Sequence, residues 1–217
     1  MQANAVLYQN TLLLWLRIAR AVEIHSYLST TYRIQVNATL EGHWDAAGGF
    51  LFESSNRQQD AAVILGLNKG YDSRDDFFAP SSQRVASTVA AFSSTFCSQF
   101  PVNGVDSGKG IPGVLFGRYQ GDTYAGGNPW VLTTSALASL FYRAGLHSLQ
   151  HGMPSEAALL PWQGLFGLAS PPANSSQLAD VFGRAGDSVL LRLAAHVGGD
   201  GGHLNEQLDK ASGVQVH

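Results

Sequence analysis

The segment from Val131 to Gln150 holds the longest clear helical pattern in the chain, and similar patterns recur on both sides of it with hardly any strand-like alternation between them. Apolar residues at helical spacing predict a helix from about Tyr8 to Leu28, on Leu12, Leu13, Leu16, Ala19 and Val22. A second runs from Ile34 to Trp44. Asp60 is expected to cap a short helix to Leu67, closed by Asn68-Lys69-Gly70. Ser81 or Ser82 caps another to about Phe100, with Val85, Val89, Phe92 and Phe96 as its apolar stripe. Gly104 to Gly113 reads as a glycine-rich connection, and Pro154 opens a helix to about Leu168. A last helix covers Leu178 to Val197. Phe50-Leu51-Phe52 is the one short extended candidate. The pattern is all-α, with about seven helices joined by long loops.

Two of those loops carry chemistry. The first is Arg118-Tyr119-Gln120-Gly121-Asp122-Thr123-Tyr124-Ala125-Gly126-Gly127-Asn128-Pro129-Trp130, which gathers a cation, two phenols, a carboxylate and an indole around a flexible turn. Such a mix suits a sugar: aromatic faces stack on the apolar faces of a pyranose, and charged forks take its hydroxyls. An i,i+4 loop salt bridge between Arg118 and Asp122 is the plainer role for that pair, and sealing a core is the plainer role for Tyr124 and Trp130. The second loop, Gly202-His203-Leu204-Asn205-Glu206-Gln207-Leu208-Asp209-Lys210-Ala211-Ser212-Gly213, follows the last helix.

In this order and at this separation, the two segments resemble the catalytic domain of the fungal-type glucoamylases, family fifteen of the glycoside hydrolases. Gly117-Arg118-Tyr119, Asp122, Tyr124 and Gly127-Asn128-Pro129-Trp130 match the family's first loop. Glu206-Gln207, Asp209-Lys210 and Ser212-Gly213 match its second. The resemblance implies an (α/α)6 toroid, present here in part, with residues 1–217 as a single domain equivalent to the C-terminal portion of the family's catalytic domain. It also implies exo-hydrolysis of α-1,4-glucosidic bonds from the non-reducing ends of starch or malto-oligosaccharides, with inversion. A trehalose- or dextran-hydrolysing relative is an alternative within the family, and a non-catalytic helical binding or scaffold protein is one outside it. Gln120-Gly121, Asn205 and Leu208 depart from the family's usual residues.

Inversion needs a carboxylic acid that protonates the leaving oxygen and a carboxylate that activates water on the opposite face, roughly 6.5–9.5 Å apart. By resemblance Glu206 is the general base, and Arg118, Asp122, Tyr124 and Trp130 bind substrate. The family's general acid lies in a segment upstream of anything matched here, so the chain alone is expected to be inactive, with the N-terminal half of the same domain as its missing partner.

Composition excludes more than it assigns. A formal net charge of −3 and 13% charged residues argue against nucleic acid, which needs clustered cations to replace phosphate counterions. No apolar run reaches spanning length, so no membrane is expected as a partner. The single Cys97 excludes an internal disulfide and is expected to be a small buried side chain. The seven histidines form no His/carboxylate cluster at metal-ligand spacing, and no metal or cofactor is assigned. His147 and His151 are expected to complement a helix C-terminus. No signal-peptide pattern precedes the first helix, although the resemblance points to a secreted protein.

Overall fold

A computed structural model describes residues 38–39, 41–70, 79–197 and 202–216. Among them are six α-helices: α1 (Ala62–Gly70), α2 (Gln83–Gln99), α3 (Pro101–Gly108), α4 (Val131–His151), α5 (Glu156–Phe166) and α6 (Ser175–Ala194). Two small antiparallel hairpins complete it, β1 (Trp44–Asp45) with β2 (Phe50–Leu51) and β3 (Gln207–Leu208) with β4 (Gln215–Val216). The fold is all-α, as expected.

Local chemistry explains most boundaries. Ser82 caps α2 by accepting from the Val85 amide, and its expected stripe of Val85, Val89, Phe92 and Phe96 is fully buried. Phe100 is extended because Pro101 follows, and Pro101 then serves as the first residue of α3. Ser155 and Asn174 cap α5 and α6 through the Ala158 and Gln177 amides. The core is aromatic: Phe96 lies 4.8 Å from Phe116 and 5.6 Å from Phe100, and Trp162 meets Phe182 at 4.9 Å. Helices α4 and α6 pack along one another, α5 covers α2, and α1 leans on α4.

Several expectations need correction. Trp44 does not end a helix; it starts a strand paired with Phe50-Leu51. Asn68-Lys69-Gly70 continues α1 rather than closing it. The stretch read as a glycine-rich connection begins as α3, because Asn103 ties it down. The Asn103 carboxamide donates to the Phe96 and Leu115 carbonyls and accepts from the Leu115 amide, so buried polar pairing overrides two glycines. Cys97 is exposed on α2, one residue past the buried stripe. His151 lies in the last turn of α4 as expected, whereas His147 is buried, with Nδ1 2.9 Å from the Ser81 hydroxyl and its ring stacked on His151 at 4.4 Å. The expected helix from Tyr8 to Leu28, and residues 34–37 and 40 of the second one, lie outside the described residues.

No helix among the described residues is long and apolar enough to cross a membrane.

Candidate active site

The two motif loops lie side by side. Trp130 pairs with Gln207 in an isolated antiparallel bridge, the Val131 amide donates to the Glu206 carbonyl at 3.0 Å, and the Leu208 amide donates to the Pro129 carbonyl at 3.1 Å. Asn128 joins them through its side chain, which accepts from the Lys210 amide and donates to the Gln207 carboxamide. The Lys210 ammonium reaches the Gly126 carbonyl at 2.8 Å. Glu206 is thus placed directly beside the start of α4, with its side chain exposed.

In the first loop, Ala125, Gly126 and Gly127 all have positive φ (48°, 93° and 64°). That run turns the chain sharply and returns Tyr124 towards Trp130, with ring centroids 6.4 Å apart. A Cβ at Gly127 would collide with the Asp122 carbonyl oxygen. Gly127→Ala therefore adds a steric clash to the usual left-handed penalty of about 1–2 kcal/mol. The variant is expected to lose at least that much stability in urea unfolding, whereas Gly121→Ala, also at positive φ but in open space, bears the backbone penalty alone.

Arg118 is the centre of this loop. Its guanidinium carbon lies 4.8 Å from the Tyr124 ring, 5.4 Å from Trp130 and 5.2 Å from Tyr119. Nε is 3.2 Å from Asp122 Oδ2. The Asp122 side chain is only 2% exposed against 27% for Arg118, and its other oxygen accepts from the Tyr124 amide. Asp122 therefore lies beneath Arg118 as its counter-ion, and the salt bridge foreseen for the pair is present. Tyr124 is 60% exposed and faces solvent, while Trp130 is half-buried with its indole nitrogen enclosed.

The second loop owes its shape to its acidic residue. Asp209 Oδ1 accepts from the Ala211 amide, the Ser212 amide and the Ser212 hydroxyl, so the Asp-Lys-Ala-Ser-Gly run is a side-chain-closed turn between β3 and β4. The Ser212 N–H and hydroxyl hold the Asp209 carboxyl below its ordinary range. Gly213, at φ 74°, completes the turn directly over the His196 ring, where a Cβ would overlap it.

Two contributors were not foreseen as part of this region. Residues 57–61 flank the Arg118 loop: the Ala61 amide donates to the Arg118 carbonyl at 2.6 Å, Asp60 bridges to Tyr119, and Arg57 covers the Tyr119 ring at 4.4 Å. Burial raises the Asp60 carboxyl from 3.8 to about 6, against the pull of the Ala62 amide. A raised acid stabilises the fold fully below the unfolded value and loses that benefit as pH climbs towards the folded one. Stability is thus expected to fall from about pH 4 to pH 6, by roughly 3 kcal/mol at most. Asp60→Asn keeps an acceptor for Ala62 and removes the charge. It should match the parent at pH 4 and exceed it above pH 7 in urea unfolding; equal stability at both would contradict this assignment. The second contributor is Gln215, whose carboxamide bonds to the segment just before Glu206.

Comparison with known proteins shows the family of the chain. Residues 11–216 match the profile of the Glycosyl hydrolases family 15. The chain is 30% identical over 205 residues to Glucoamylase-1 of Schizophyllum commune, covering 85% of this chain and 34% of that protein. It is 28% identical over 179 residues to Glucoamylase 1 of Rhizopus oryzae, covering 75% and 28%. It is 31% identical over 183 residues to the intracellular sporulation-specific glucoamylase of Saccharomyces cerevisiae, covering 71% and 33%. The chain thus spans about a third of the length of these relatives. Among solved structures, the Hypocrea jecorina family 15 glucoamylase superposes with a TM-score of 0.73 at 23% identity, over 96% of this chain and 38% of that one. The Hormoconis resinae glucoamylase gives 0.72 at 21%. The fold is therefore that of the (α/α)6 barrel enzymes in part, and the chain belongs to the glycosyl hydrolases of family 15.

Proposed function

We propose that this chain supplies the base-bearing, substrate-gripping part of an inverting exo-glucosidase that removes glucose from the non-reducing ends of α-1,4-glucans. The observation that carries the reading is the pairing of Trp130 with Gln207, which sets Glu206 beside the Arg118 loop. Arg118, backed by the buried Asp122, forks the hydroxyls of the terminal glucose. Asp122 acts through Arg118, because its own oxygens are engaged below the surface. Tyr124 and Trp130 supply aromatic surface. Glu206, exposed immediately before β3, removes a proton from water as that water attacks the anomeric carbon, and the glucosidic oxygen leaves with a proton from a second carboxyl.

That second carboxyl belongs to another part of the catalytic domain, of which residues 1–217 form the C-terminal portion. Asp60 is the one described carboxyl pushed upwards, but it is buried and bonded to Ala62, out of reach of a leaving oxygen. The chain by itself is expected to release no glucose from maltose above a protein-free blank. Release that disappears in Glu206→Gln would show that the acid is already present here. In a polypeptide containing both parts, proton NMR of the first glucose formed should show the β anomer. Immediate appearance of the α anomer would rule out inversion.

A further inference from the structure

We propose that Gln215 is a positioning residue for Glu206, an inference that rests on reading Glu206 as the base. Gln215 lies on β4, nine residues beyond Glu206 in sequence, yet its carboxamide reaches back to the segment immediately before it. Oε1 accepts from the Asn205 amide at 2.7 Å. Nε2 donates to the His203 carbonyl at 2.9 Å and to the His196 carbonyl at 3.1 Å. Both N–H groups and the oxygen of one side chain are used, and all three partners are backbone groups.

The consequence is a clamp on each side of one residue. Upstream, the carboxamide ties residues 203 and 205 to the end of α6. Downstream, Gln207 and Leu208 pair with Val216 and Gln215, and Leu208 also bonds to Pro129. Glu206 is the residue between, with its own carbonyl fixed by the Val131 amide. The anchor at the α6 end is itself rigid. His196 Nε2 is 2.7 Å from Asp106 Oδ2, which pairs with the fully buried Arg192 at 3.0 Å. Gly213 closes over the His196 ring.

The chemistry of the clamp calls for an amide. Glutamate could accept from Asn205 but could not donate to the two carbonyls; lysine could donate but not accept. A carboxylate on an exposed loop otherwise samples many positions, and a base displaced by about 1 Å loses much of its effect. Gln215 makes no bond to the Glu206 side chain and acts only through the backbone.

Amide hydrogen exchange on the chain as it stands reads the clamp, with no need for activity. In Gln215→Ala the Asn205 amide is expected to exchange at least ten times faster, while amides in α2 and α4 keep the parent rates. Gln215→Glu, which retains the acceptor, should restore most of the Asn205 protection. Unchanged exchange at Asn205 in Gln215→Ala overturns the clamp, whatever Glu206 does. In a polypeptide that hydrolyses maltose, Gln215→Ala should lower kcat ten- to a hundred-fold and leave KM within about two-fold, because the Arg118 loop is untouched. Faster exchange with an unaltered kcat, or a loss confined to KM, would overturn the positioning role. Full activity in Glu206→Gln beside a defect in Gln215→Ala would instead sink the base assignment, and the proposal with it.

Discussion

Glu206→Gln is expected to lower kcat for maltose hydrolysis by about 10²–10⁴-fold, the usual contribution of a positioned acid–base group. KM should stay near its parent value, since the groups proposed to grip substrate sit on the neighbouring loop. The substitution preserves size and every backbone contact of the residue, including the carbonyl that accepts from Val131. The loss would therefore belong to the carboxylate and not to the loop. Steady-state kinetics on a polypeptide holding both carboxyl groups, with azide offered as a small external nucleophile, gives the reading. A kcat within about three-fold of the parent is far below the contribution expected of a base and would remove Glu206 from the mechanism.

The second large effect is structural. Arg192→Ala is expected to cost about 3–5 kcal/mol, the usual penalty for leaving one partner of a buried ion pair uncompensated. Arg192 is 0% exposed. Nε donates to the Pro112 carbonyl, Nη1 to that of Asn103, and Nη2 to the carbonyls of Ile111 and Gly113 and to the Ser107 hydroxyl. With the Asp106 pair these bonds gather α3, α6 and the segment leading to Arg118 into one unit. Whole-domain stability is commonly about 5–15 kcal/mol, so the variant should lose a large share of it. Arg192→Lys keeps the charge but not the planar fork, and should recover only part of the loss.

The pH dependence has a defined sign. Burial pushes the Asp106 carboxyl up, but bonds from His196 and Arg192 outweigh it and hold the group below its ordinary range. Its stabilisation is therefore present above that range and lost as pH falls. The deficit of Arg192→Ala should shrink in acid, where Asp106 can take a proton. Urea unfolding followed by circular dichroism at two pH values measures it. A cost below about 1 kcal/mol would contradict the buried-pair account.

Much of this molecule was legible in the chain. The stripes of α2 and α4, the Ser82 cap and the short strand at Phe50-Leu51 follow from periodicity and capping alone, because local pattern and final packing agree there. The Arg118–Asp122 pair was readable from its spacing. What stayed hidden depends on partners distant in sequence. Asn103 turns a glycine-rich stretch into α3 through Phe96 and Leu115. Arg192, read as one more residue of a helix, proves to be the polar centre of the fold. Trp44 gives up a helical pattern for a strand pairing with Leu51. Gln215 carries no signature at all: a lone glutamine near a terminus has meaning only once the His196, His203 and Asn205 backbones surround it.

The central claim is that the Arg118 loop and the Glu206 loop form one sugar-binding surface. Its most direct test is a maltose titration of the isotope-labelled chain by NMR. The Arg118 Nε–H, the Trp130 indole N–H and the backbone amides of Glu206 to Leu208 are expected to shift together along a single binding curve, and Arg118→Ala to abolish all three responses. Shifts confined to one loop, or responses that survive in Arg118→Ala, would show that the two loops are neighbours without being a site.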